Sequence, residues 1–122
     1  MPGLTVATSQ QGLDLLFPTT GATDYIAYSA NGTSETASLA RTAVGATGWA
    51  AATAADPSAK ANANQLTSAA ATGAVTVSHF AIYSASTGGN QRTEWQALAT
   101  ARTLAVGDQL QWAAGACQVT LT

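Results

Sequence analysis

The second half of the chain consists of short segments in which apolar and polar residues alternate, and this pattern most restricts the possible folds. Residues 109–112 (QLQW) and 117–121 (CQVTL) alternate strictly, and the pairs Gly107-Asp108 and Ala114-Gly115 separate such segments. Alternation with a period of two is typical of half-buried strands. We therefore expect a mainly β protein of roughly seven or eight short strands, folded as an antiparallel β-sandwich or a jelly-roll-like barrel.

The segment "GAVTVSHFAIYS", residues 73–84, gives the strongest strand prediction. Apolar side chains fall on both of its faces, with Phe80 and Ile82 opposite Val77 and His79. Such a strand is covered on both faces or changes its buried face at a β-bulge. The Gly-Gly pair in the "STGGN" that follows predicts a turn into the next strand.

One short helix is predicted near the N-terminus, in "SQQGLDLLF". Ser9 is the expected N-cap, and Leu13, Leu16 and Phe17 recur at helical spacing. Pro18 then acts as a stop signal, because proline does not continue a helix.

The middle of the chain offers further strands and one long loop. The segments "TDYIAYS", "ASLARTAV" and "TGWAAAT" are candidate strands, and Asn31-Gly32 is a hairpin-type turn signal. Residues 54–64 (AADPSAKANAN) are predicted to be a loop, because Pro57 and the asparagines oppose a helix. We expect one domain over residues 1–122, with an N-terminal arm and the helix in 1–20 and the sandwich in 21–122.

Charge is scarce and slightly negative. Charged residues make up 8% of the chain and the formal net charge is −2, so no basic stripe is available to bind nucleic acid. Because the chain carries so little charge, its copies repel one another only weakly. This favours a protein whose surface is partly covered by partners. No apolar run is long enough to span a membrane and no signal peptide is visible, so we expect folding in a cytoplasm.

No pattern of catalytic or cofactor-binding residues stands out, and we expect neither an enzyme, a cofactor nor a metal. The carboxylates are dispersed, and turn positions account for Asp56 and Asp108. Only Cys117 could join His79 as a soft metal ligand, whereas metal sites usually need three or four ligands. His79 is therefore expected to be a structural strand histidine, and Cys117 a buried, unreactive thiol.

Three tryptophans and two arginines are the candidate contact residues: Trp49, Trp95, Trp112, Arg41 and Arg92. Each tryptophan lies in an alternating segment, which favours burial in the core or at a subunit interface. Exposed, the tryptophans would instead form a platform for stacking sugars, as in a carbohydrate-binding β-sandwich. The arginines could supply bidentate contacts between chains.

Residues 76–90 (TVSHFAIYSASTGGN) and 97–122 (ALATARTLAVGDQLQWAAGACQVTLT) resemble a family of small virion proteins of tailed bacteriophages. Members of that family are described as tail-fibre-like, minor tail or capsid decoration proteins. The order of strand, Gly-Gly turn, small-residue strand and Gly-Asp turn is similar. Upstream, "SLARTAV" at residues 38–44 resembles the family more loosely.

The resemblance implies a non-enzymatic β-rich module that assembles as a symmetric oligomer on the virion and is made in the cytoplasm of a host bacterium. The most specific expectation is a capsid decoration protein that binds the major capsid protein, as a homotrimer at threefold positions. The alternative is a minor tail or tail-fibre component that contacts the host surface.

Overall fold

The structure is a computed structural model that describes residues 5–54 and 58–121. It contains one helix, α1 (Val6–Leu16), and eight strands, listed here in chain order: β1 (Tyr25–Ser29), β2 (Thr42–Ala43), β3 (Ser58–Ala61), β4 (Leu66–Thr67), β5 (Val75–Tyr83), β6 (Gln96–Leu104), β7 (Gln111–Trp112) and β8 (Gln118–Leu121). The fold class predicted from the sequence is confirmed: the chain is mainly β, its sheets are antiparallel, and one short helix lies near the N-terminus.

The strands form one four-stranded sheet and two two-stranded sheets. The larger sheet has the order β2-β1-β5-β6, while β3 pairs with β8 and β4 with β7. By its contacts the chain divides into two compact units. The terminal unit comprises Met1–Ala22, Val44–Gln65 and Trp112–Thr122, and the central unit comprises Thr23–Ala43 and Leu66–Gln111. The single domain expected over residues 1–122 stays a prediction.

Helix α1 begins three residues before the predicted segment. Thr5, not Ser9, is the N-cap: its backbone is extended, and its hydroxyl accepts a hydrogen bond from the Thr8 N–H. Ser9 lies inside the helix. Leu13 and Phe17 are buried as predicted, whereas Leu16 is exposed at the end of the helix.

In the terminal unit, an ion pair between a buried lysine and a partly exposed aspartate joins α1 to β3. Lys60 Nζ donates to Asp14 Oδ1 at 2.6 Å, and the lysine side chain has no exposed surface. Asp14 also accepts a hydrogen bond from the Ala52 N–H. Both hydrogen bonds lower the pKa of Asp14, and the bond from Lys60 has the larger effect.

Strand β3 lies where a loop was predicted, and this prediction is wrong for residues 58–61; residues 55–57 lie outside the described residues. The strand forms because it pairs in register with β8, for example Lys60 with Val119. Asn62 then extends the link: its side chain accepts from the Cys117 N–H and donates to the Ala113 carbonyl. The composition of residues 54–64 gave no sign of this distant partner.

The segments "ASLARTAV" and "TGWAAAT" contain less strand than predicted. Only β2 and an isolated bridge between Trp49 and Asn62 are present. The reason is a tight turn in which the Gly48 N–H donates to the Gly45 carbonyl, and Gly45 has φ +95°. A Cβ at Gly48 would overlap the Val44 carbonyl oxygen, so the backbone folds back here instead of extending.

In the central unit, β5 confirms the strongest strand prediction. It pairs with β1 on one side and β6 on the other, and its register with β6 shifts between Val77 and His79. Phe80, Ala81 and Ile82 in succession are buried, so both faces of the strand are covered here. The predicted bulge and the predicted two-sided burial therefore occur in the same strand.

Candidate functional site

The Gly-Gly turn after β5 is held by one arginine. Gly88 and Gly89 both have positive φ, and the Ser84 N–H donates to the Asn90 carbonyl across the turn. Arg41 donates through Nη1 to the carbonyls of Ala85 and Gly88, each at 2.8 Å. The turn predicted from "STGGN" is confirmed, and a guanidinium group from a distant loop fixes its shape.

Arg41 also binds a carboxylate and an aromatic ring. Its Nε and Nη2 form a bidentate pair with the two carboxylate oxygens of Glu35, both at 2.8 Å. Its guanidinium carbon lies 3.9 Å from the centre of the Tyr83 ring, which is cation–π geometry. The hydrogen bonds with Glu35 raise the pKa of Arg41, so the group stays charged. We call Glu35, Arg41, Tyr83 and Trp95 the Arg41 cluster.

Trp95 completes the Arg41 cluster from the segment before β6. Its ring lies 6.1 Å from that of Tyr83, at an interplanar angle of 52°. The Tyr83 hydroxyl donates to Gln91 Oε1. The structure thus brings together Arg41 and Trp95, two of the five predicted contact residues, through Tyr83, which the sequence did not single out as a site residue.

The other predicted contact residues lie elsewhere. Trp49 and Trp112 are 1% and 6% exposed, and Trp49 packs edge-on against Phe17 with ring centres 5.4 Å apart. Arg92 pairs with the buried Asp24 and keeps about a quarter of its side chain exposed. An interface role for the five residues stays a prediction. Trp95 and Arg92 are the best placed of the five to contact a partner, because their side chains are partly exposed.

A platform of three exposed tryptophans is not present, because two of the three rings are buried. A cleft of about 320 Å³ lies beside the Arg41 cluster and is lined by Glu35, Thr36, Ser86 and Thr87, among others. The expectation of a carbohydrate-binding surface built on tryptophan is therefore not supported by their positions.

His79 lies at the bulge of β5 and contacts the Asn31-Gly32 turn. Its Nδ1 lies 2.7 Å from the Ser78 hydroxyl, and its ring occupies the space that a Cβ at Gly32 would need. Gly32 has φ +76°, so a glycine is favoured there both by backbone conformation and by the ring of His79. Within residues 5–54 and 58–121, no group of three or more His, Cys, Asp or Glu side chains could hold a metal ion.

Cys117 lies at the start of the last strand region and is fully buried. Burial raises the pKa of the Cys117 thiol to about 12. Because the thiolate is the reactive form, we expect the native protein to react with iodoacetamide at pH 8 at least ~100-fold more slowly than the urea-unfolded chain. Mass spectrometry of timed samples measures both rates on the single cysteine, and rapid stoichiometric labelling of native protein would contradict the expectation.

No helix among the described residues is long and apolar enough to cross a membrane. No curated protein shows significant similarity to the chain. A family model described as "Gp80: Podophage GP4 fiber I protein gp80" matches residues 9–120. The match covers most of the chain and confirms the resemblance to a small virion protein family of tailed phages. The chain therefore belongs to the Gp80 family, podophage GP4 fiber I protein.

Proposed function

We propose that the chain is a non-enzymatic structural subunit of a podophage virion and forms part of a tail fibre. The observation that carries this proposal is the family match over residues 9–120, whose description names a fiber protein. The function follows from contacts between the subunits of the fibre, which reinforce one another because the copies are held together in one assembly.

The ion pairs within the chain support a structural role. Two ion pairs link segments far apart in sequence, Asp14 with Lys60 and Asp24 with Arg92, and a third joins Glu35 to Arg41 within one loop region. Each has at least one side chain that is almost fully buried, so these charges fix loops and strands in place. A fibre subunit must transmit force without rearranging, and such internal cross-links restrain local opening.

A location in the tail of the virion is part of the proposal. Capsid decoration, with the major capsid protein as partner and a homotrimer as the assembly, stays a prediction, and the description of the family favours a fibre over it. Contact with the host surface likewise stays a prediction.

The number of copies per virion and their position test the proposal. Quantitative mass spectrometry of purified virions, with the major capsid protein as internal standard, should give few copies of this chain per particle. Gold-labelled antibody should bind at the tail in electron micrographs. Hundreds of copies, with label over the capsid, would overturn the fibre assignment in favour of decoration.

A further inference from the structure

Strand β6 forms a free edge of the four-stranded sheet. It pairs with β5 on one side, and no described strand pairs with it on the other. The strand is nine residues long, and six of these residues are exposed. A free edge presents backbone N–H and C=O groups that can pair with a further strand.

The composition of β6 suits such pairing. Its sequence is QALATARTL, with no proline and with Arg102 as its one charged residue. Proline and charged side chains are two of the means by which proteins keep edge strands apart. Alanine and threonine dominate instead, so a second strand can approach without meeting large side chains.

The middle of β6 is also released from β5. Val77 pairs with Arg102 and His79 with Ala97, so residues 98–101 stand opposite Ser78 alone. Those four residues have no partner of their own on β5. They form a large bulge, so this part of β6 is held to β5 by fewer backbone hydrogen bonds than its two ends.

Two charges beside this bulge have no ion-pair partner in the part of the chain that the structure describes. Glu94, two residues before β6, and Arg102 make no ion pair or side-chain hydrogen bond with any residue of the described ranges. The other described arginines and the lysine are all paired. Glu94 and Arg102 lie four residues before and four residues after Leu98.

We propose that two copies of this chain associate by pairing their β6 edges antiparallel about a twofold axis at Leu98. In this register Arg102 faces Glu94 of the partner subunit, and the symmetry repeats the pair. Registers centred on Ala99 or Thr100 leave both charges opposite uncharged residues. The Leu98 register pairs Leu98 with Leu98 of the partner subunit on the axis and sets Ala97 opposite Ala99 of the partner subunit, so small side chains flank the central pair.

The contact is smaller than a standard protein interface, because each copy contributes one strand and its flanking residues. We therefore expect a weak dimer that forms in concentrated solution. Within a virion the same contact would be strengthened because the copies are held close together.

Charge-reversal variants test the register. Sedimentation velocity of the wild-type chain should show a dimer whose population rises with concentration. Glu94→Arg and Arg102→Glu should each weaken the dimer by about tenfold or more, because two attractions become two repulsions. The double variant E94R/R102E should regain dimerisation at unchanged net charge, and an equimolar mixture of the two single variants should form a heterodimer.

Thermal melting of each variant provides the control for folding, since both side chains are exposed and neither forms an ion pair with another described residue. Hydrogen exchange provides a second measurement, in which β6 amides should gain protection as concentration rises. A wild-type chain that stays monomeric at every concentration would overturn the proposal. A dimer or trimer that the wild-type chain, the two single variants and the double variant form equally well would also overturn the proposal.

Discussion

Replacing Trp49 by alanine is expected to lower the free energy of unfolding by roughly 3–5 kcal/mol, the range for loss of a large aromatic side chain from a core. The indole is 1% exposed and packs edge-on against Phe17 of the α1 end. Removing it creates a cavity in the terminal unit that the surrounding backbone can fill only in part. Urea denaturation followed by far-UV circular dichroism measures the change.

Trp95→Ala is the matched control, since it removes the same side chain from a half-buried position beside Tyr83. We expect it to cost about 1–2 kcal/mol, because part of the ring is already in water. A loss for Trp95→Ala equal to or larger than that for Trp49→Ala would contradict the assignment of the two rings to core and surface.

Replacing Arg41 by lysine is expected to cost roughly 2–3 kcal/mol, although the charge is kept. The guanidinium makes four hydrogen bonds, two to Glu35 and one each to the carbonyls of Ala85 and Gly88. An ammonium group lacks the planar fork that reaches all of these acceptors at once. The side chain is only 7% exposed, so water would replace the lost bonds incompletely.

Hydrogen exchange should place this loss in the Gly-Gly turn, with faster exchange of the amides of residues 84–90 in Arg41→Lys than in the wild-type chain. Arg102→Lys is the matched control, because Arg102 is exposed and makes no contact of this kind. Its effect should stay within about 0.5 kcal/mol. Unchanged exchange in residues 84–90 of Arg41→Lys would show that the arginine does not hold the turn.

Features determined by local pattern could be predicted from the sequence. The alternation around His79 predicted β5, and its two apolar faces predicted either cover on both sides or a bulge, of which the structure has both. Gly88-Gly89 predicted a turn because positive φ at successive residues favours glycine. In each case the cause lies within a few residues of the feature.

Features determined by distant partners could not be predicted. Strand β3 has the composition of a loop, and its pairing with β8 and the ion pair of Lys60 with Asp14 become apparent only in the folded chain. The Arg41 cluster was half anticipated: Arg41 and Trp95 were candidates, whereas Glu35 and Tyr83 carried no signal that set them apart. Their role depends on a loop that folds back over the end of β5.

The buried position of Lys60 has a practical consequence for any attempt to attach a dye, a cross-linker or a surface to this protein. Lys60 is the only lysine in the sequence, and its amine lies wholly inside the folded chain against Asp14. Cys117, the only thiol, is inside as well. Conjugation chemistry aimed at side-chain amines or thiols therefore finds no natural handle on the folded protein, and a single cysteine introduced on the surface would be a uniquely addressable one.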